Sequence, residues 1–206
     1  MKIKKLHQAT LLKTTLALIT FSGVSRSAFT YDFVPIGDSG NAADSTGFGA
    51  VSYEYRIGKY EVTIGQYVEF LNAVAKTDTF GLYNTSMASS LQSAGILRSG
   101  APGAFDYRAI GPFGESLGQN TADRPISLVN WFDAARFANW MANGRPFGPQ
   151  SSTTTENGAY SLGGVTAGNV VARNQLNPNT LAPPSVFLPT EDEWYKAAYF
   201  SPLLNG

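Results

Sequence analysis

The chain has 206 residues, no cysteine, one histidine (His7), and fifteen basic residues against fifteen acidic ones. Thiol chemistry, disulfides and thiolate ligation of a metal are therefore excluded. Charged residues make up only 15% and aromatic residues 13%, the opposite of a disordered composition, so a packed core is expected.

Residues 1–28 read as a secretory signal peptide. Lys2, Lys4, Lys5 and Lys13 give a basic start, Leu16 to Val24 carry a short apolar run, and Ser25, Ser27 and Ala28 supply small residues. The run is shorter than the roughly 20 apolar residues a bilayer span requires. Ser25/Ser27 and Arg26/Ala28 are the two pairs that fit a cleavage site. Removing this stretch takes five bases, no acid and His7, leaving 10 basic against 15 acidic residues, a net charge of −5. A chain of that charge lacks the basic footprint that nucleic acid or an anionic membrane needs. The expected location is periplasmic or extracellular. The expected partner is a protein or glycan, with no membrane attachment after signal removal. Residues 29–206 suffice for one domain.

Asp38-Ser39-Gly40-Asn41-Ala42-Ala43-Asp44 places three oxygen side chains within seven residues, with a glycine for the turn. Asp38, Asn41 and Asp44 are candidate calcium ligands. The run lacks the regular alternation and terminal glutamate of an EF-hand loop, and a polar turn is the competing reading. Calcium is the only cofactor the sequence suggests.

Three segments then share one pattern: an extended apolar stretch, a capping residue, a helix. Tyr60-Glu61-Val62 leads to Thr63, with Gln66 at capping-box spacing and Tyr67, Phe70, Leu71 and Val74 at helical spacing, predicting a helix over 64–75. Ile126-Ser127-Leu128-Val129 leads to Asn130. Asp133 lies in the first turn of that helix, Ala134, Ala135, Ala138 and Met141 form one face, widened by Trp131, Phe137 and Trp140, and Gly144 ends it. Val186-Phe187-Leu188-Pro189 leads to Thr190, with Glu193 completing a box and Trp194, Ala197 and Ala198 expected on the buried side. Between these segments, residues 77–124 show no sustained period. Residues 145–185 are rich in Gly, Asn and Thr and hold one hairpin fragment, Gly158 to Gly163. Few helices, short strands and long ordered loops predict an irregular, loop-rich α+β fold.

Catalytic constellations are sparse. Without a histidine after residue 28, a Ser-His-Asp arrangement is excluded. Asp38, Asp44, Asp106, Asp123, Glu156, Glu191 and Asp192 are the acid–base candidates, and only a pair in one cleft would serve as a hydrolytic dyad.

Tyr60-Glu61-Val62-Thr63 with Tyr67, Phe70 and Asn72, then Arg124 to Ala134, then Leu188-Pro189-Thr190-Glu191-Asp192-Glu193-Trp194 resemble, in that order, blocks of the formylglycine-generating-enzyme, or sulfatase-modifying-factor, family. The resemblance spans about residues 54–200. It implies a C-type-lectin-like fold and a framework role for the three blocks. Relatives that make formylglycine bind copper through a cysteine pair, and relatives that make sulfoxides use a histidine-based iron site; neither ligand set is present. The family's catalytic groups and calcium ligands follow the third block, and the sequence stops at Gly206. No family site residue is carried over, and the domain is expected to be truncated. The insertion at about 145–185 resembles a subgroup of exported bacterial proteins. Three functions follow as expectations: a family member that is not an oxidase as given, a lectin-like binding module for a glycan or protein, and an enzyme whose site lies in a missing C-terminal part. In that third case the rings of the last helix would need a partner.

Overall fold

The computed structural model describes residues 29–89, 95–111 and 121–200. The signal-peptide reading and the last six residues lie outside the described residues. Among the described residues, four strands form two antiparallel pairs. β1 (Phe33–Ile36) pairs with β2 (Tyr55–Gly58), Phe33 opposite Gly58, and β3 (Gly95–Ser99) pairs with β4 (Asp106–Ile110), Gly95 opposite Ile110. Three helices follow the expected capping pattern: α1 (Ile64–Val74), α2 (Trp131–Ala142) and α3 (Glu191–Tyr199). A 3-10 turn (Thr85–Ala88) and a π turn (Ser152–Glu156) complete the described elements. The result is the irregular α+β fold expected.

Each helix starts with a reciprocal capping box. The Gln66 amide donates to Thr63 Oγ1 at 3.2 Å while the Thr63 amide donates to Gln66 Oε1 at 2.9 Å. Asn130 and Asp133 exchange the same pair of bonds, as do Thr190 and Glu193. Each cap satisfies amides that a helix start otherwise leaves bare, worth about 1 kcal/mol. The stretches before the caps do not pair as strands. Residues 60–62 and 126–129 meet only through a bridge between Thr63 and Pro125 and a bond from the Ile126 amide to the Val62 carbonyl at 2.9 Å. Residues 186–189 carry no strand.

The β3–β4 hairpin lies inside the 77–124 stretch expected to be a loop. Its strands are five residues each, too short to impose a visible period. Gly100 turns the chain at φ +86°, where a β-carbon would sit 2.5 Å from the Ala104 carbonyl oxygen. Gly95 admits the 3-10 turn, since a β-carbon there would lie 1.9 Å from the Met87 carbonyl oxygen. α1 packs on this hairpin and ties to it through polar groups: Asn72 bonds both the amide and the carbonyl of Tyr107, and the Tyr107 hydroxyl donates to the Ala75 carbonyl.

The first core is aromatic. Tyr67, Phe70, Leu71 and Val74 of α1 meet Ile96, Tyr107, Leu82, Tyr83 and Met87, closed by Phe137 and Trp140 of α2. Phe70, Phe137 and Trp140 lie 5.3–5.7 Å apart between ring centroids, within the range of favourable aromatic pairs. α2 is buried on its other side too, where Phe132, Ala135 and Ala138 meet Ala159, Tyr160 and Leu162. The second core is thus built from the 145–185 segment. That segment carries no hairpin at 158–163: residues 157–160 form bends, and side chains of α2 hold their backbone in place of a strand partner.

Candidate functional site

The loop joining β1 to β2 carries all three candidate calcium ligands. Asp38 holds φ +60°, an uncommon conformation that aspartate tolerates better than most residues. Its carbonyl accepts the Lys196 ammonium at 2.8 Å and the Asn41 amide at 3.3 Å. Asn41 works inside the loop: its amide group donates to the Gly49 carbonyl at 2.7 Å and its oxygen accepts from the Val51 amide. Asp44 Oδ1 accepts from both the amide and the hydroxyl of Thr46, and Oδ2 accepts from the Tyr195 hydroxyl at 2.7 Å. These bonds, Thr46 foremost, hold the Asp44 carboxyl below its usual range. The structure therefore brings the three residues into one loop and uses two of their side chains to shape it. No cluster of three or more His, Cys, Asp or Glu among the described residues is arranged to hold a metal ion.

α3 docks on this loop with its polar side. Asp192 accepts the Gly49 amide at 2.9 Å. Glu193 is gripped from three directions: Arg173 by two bonds, the Tyr53 hydroxyl at 2.6 Å, and the Thr190 amide at 2.7 Å. The Tyr55 hydroxyl reaches the Glu193 carbonyl. Burial alone would raise the Glu193 pKa, but these donors outweigh it and hold the group at about 2. Lys196 is fully buried, spanning to Asp38 across a cleft of about 390 Å³ lined by Pro35, Ile36, Gly37, Ala197 and Phe200. Trp194, expected to be buried, is 51% exposed, and Ala198 is exposed beside it. The capping box and Arg173 fix which side of α3 faces in, and Glu193 and Lys196 take the places the apolar residues would have filled.

The densest polar cluster lies elsewhere, between α2 and the 145–185 segment. Arg136 is fully buried and binds Glu156 through two bonds of 2.7 and 2.8 Å, with a third to the Val165 carbonyl. Glu156 also accepts from the Thr155 hydroxyl and the Gly164 amide. Asn139 bonds the Thr155 carbonyl and both the amide and carbonyl of Tyr160. Asn143 bonds the Thr154 and Asn157 carbonyls. Gly158 passes so near α2 that a β-carbon would lie 2.9 Å from Asn139 Oδ1. Most bonds here end on backbone or on a matched charge, which makes the cluster a structural staple; Arg136 Nη1 is buried without a hydrogen-bond partner, its guanidinium lying 4.6 Å from the Phe80 ring centroid. Sequence reasoning missed it, although Arg136, Asn139 and Asn143 recur at i, i+3 and i+7, one helix face, beside an asparagine-rich segment.

The acid–base candidates are thus largely engaged. Glu156 serves Arg136, Asp192 serves the Gly49 amide, Asp44 serves Thr46 and Tyr195, and Asp106 lies 3.6 Å from Lys76. Among the described carboxyls, Asp133 has a raised affinity for its proton: burial lifts its pKa to about 6 against the opposing pull of the Asn130 amide and Arg136. It caps α2.

The framework of three capped helices, with the Leu-Pro-Thr-Glu block anchoring α3, coincides with a family-level match. The model of the family described as the sulfatase-modifying factor enzyme 1-like domain matches residues 44–201, most of the chain. The chain belongs to this family. No curated protein and no solved structure matches it. The matched stretch runs from Asp44 in the β1–β2 loop through the end of α3, so it includes the Asp44–Tyr195 contact and leaves out Asp38, which accepts Lys196.

Proposed function

We propose that this chain is an exported sulfatase-modifying-factor-like protein that performs no cysteine oxidation and acts as an extracytoplasmic binding module. The observation that carries this reading is the absence of cysteine from all 206 residues, together with the position of the sole histidine, His7, in the basic stretch ahead of the apolar run. Copper in its thiolate site needs soft ligands that the protein itself must supply, and a substrate cysteine alone does not assemble one. The test is a sulfatase-derived cysteine peptide incubated with the full chain, with and without copper, and followed by mass spectrometry. No aldehyde is expected; its formation in a metal-controlled reaction overturns the reading. N-terminal sequencing of extracytoplasmic material tests export, with residues 1–28 expected to be gone.

Calcium is the one cofactor this reading admits, at Asp38, Asn41 and Asp44. Binding there would exchange the Thr46 and Tyr195 bonds of Asp44 for metal bonds. The site belongs to the millimolar class of extracellular modules. Calorimetry at roughly millimolar calcium, repeated on Asp44→Ala, decides it: a heat lost in the variant supports the site, and no heat removes it.

A further inference from the structure

Two Asn–Gly pairs lie in the staple between α2 and the 145–185 segment, and the fold treats them in opposite ways. At Asn143–Gly144 every reactive group is tied. The Asn143 side-chain amide donates to the Thr154 and Asn157 carbonyls, its oxygen accepts from Asn177 and Asn179, and the Gly144 amide donates to the Met141 carbonyl at 3.0 Å. At Asn157–Gly158 the same groups are loose. Asn157 is half-buried. Its carboxamide makes no hydrogen bond among the described residues, although Asn139, Asn143, Asn174, Asn177 and Asn179 around it all spend theirs. Nor does the Gly158 amide find an acceptor among the described residues. A third pair, Asn205–Gly206, lies outside the described residues.

An asparagine carboxamide is open to attack by the backbone nitrogen that follows it. The Gly158 nitrogen, its proton given up to water or hydroxide, attacks Asn157 Cγ. The N–Cγ bond forms, the Cγ–Nδ2 bond breaks, and Nδ2 leaves as ammonia with a proton taken from water. Water then opens the cyclic imide, at Cγ to give aspartate or at the backbone carbonyl carbon to give isoaspartate. The fold favours this step at position 157. The carboxamide is free to turn toward the nitrogen, and Asn157 sits in extended backbone, φ −128° and ψ 146°, past the end of the π turn. Its carbonyl accepts side-chain amides from Asn143 at 2.7 Å and Asn179 at 3.1 Å. Donors on a carbonyl draw charge from the peptide they polarise, which eases loss of the Gly158 proton. The close pass over Asn139 keeps a glycine at 158, so no side chain shields the nitrogen. Isoaspartate lengthens the main chain by one carbon beside Gly158, whose carbonyl accepts from Asn174 at 3.0 Å, and two residues from Tyr160, which Asn139 holds by both backbone groups. The longer chain pulls these bonds apart, and buried polar groups that lose partners destabilise the fold.

We infer that Asn157–Gly158 is a self-modification site, where deamidation loosens the staple on α2, while the same network protects Asn143–Gly144. The test is incubation of the full chain in warm, mildly alkaline buffer, both folded and in urea. Peptide mapping by mass spectrometry follows each pair, with electron-transfer fragmentation to tell isoaspartate from aspartate. In the folded chain Asn157 should convert at least tenfold faster than Asn143. In urea, where both pairs are free and alike in sequence, the two rates should draw level. Asn157→Gln, whose longer side chain closes the ring far more slowly, should lose the folded-state conversion while melting like the unmodified chain. The isoaspartate form, separated by ion exchange, should melt several degrees lower. An Asn157 that stays intact in the folded chain while converting in urea overturns the inference, and so does an Asn143 that converts equally fast in the folded chain. An isoaspartate form that melts with the unmodified chain overturns the loosening.

Discussion

α2 and α3 begin alike and end in opposite environments. Both open with a reciprocal capping box, and both carry acidic residues in the first turn. α2 is then buried almost all round, aromatic toward α1 and both apolar and polar toward the 145–185 segment. α3 buries a carboxylate and an ammonium and shows its rings to solvent. A cap fixes where a helix starts; it does not fix which face the fold consumes. That choice falls to the partners: asparagine and arginine on α2 meet bare backbone, while Arg173, Tyr53 and the Asp38 carbonyl meet the polar side of α3.

The largest effect should come from separating the buried charges of α2. Arg136→Met strands Glu156 and should cost about 3–5 kcal/mol, whereas Arg136→Met with Glu156→Leu should recover part of that loss, because the unpaired charge is removed while the Gly164 amide and the Val165 carbonyl still lose their partners. Denaturant melts of the two proteins measure this, and equal destabilisation of single and double variants would show that the staple is more than a charge pair.

On α3 the corresponding change is Glu193→Gln, expected to cost about 2 kcal/mol at neutral pH. Its sign with pH is set by a folded pKa of about 2 against an ordinary 4.5. The stabilisation is complete above 4.5 and lost as pH falls toward 2, so wild type and variant should converge in acid. Asp133 in α2 runs the other way. Its folded pKa of about 6 exceeds the ordinary 3.8, so its contribution is complete below 3.8 and lost as pH rises through 6. Asp133→Asn should remove a decline of roughly 1 kcal/mol across that window, read from melts at successive pH values. The smallest effect belongs to the exposed face: Trp194→Ala should shift stability by no more than about 0.5 kcal/mol, and a loss several times larger would place that ring in a core.

The three helix starts were legible because a capping box is a local signal, two residues three apart. The α+β class and the family followed from the same blocks. The β3–β4 hairpin was not legible, since five-residue strands beside a glycine turn leave too little alternation to register. The 145–185 segment read as a loop because its order comes from side chains elsewhere: Asn139 and Asn143 supply the bonds a strand partner would. The side of α3 was misread because hydrophobic spacing was taken to point inward, and neither Arg173 nor the Asp38 carbonyl is near it in sequence. The candidate ligands Asp38, Asn41 and Asp44 lie in one loop, and its attachment to Tyr195 and Lys196 spans about 150 residues of sequence and has no local signature.

The orientation of α3 underlies its docking on the β1–β2 loop, and Trp194 reports on it directly. Among the three tryptophans, Trp140 is buried and Trp131 half-buried, while Trp194 faces solvent. Acrylamide quenching of the native full chain should therefore show a readily quenched, red-shifted emission component that disappears in Trp194→Phe. Quenching and emission left unchanged by that substitution would mean that the ring is covered and that α3 does not turn its aromatic face outward.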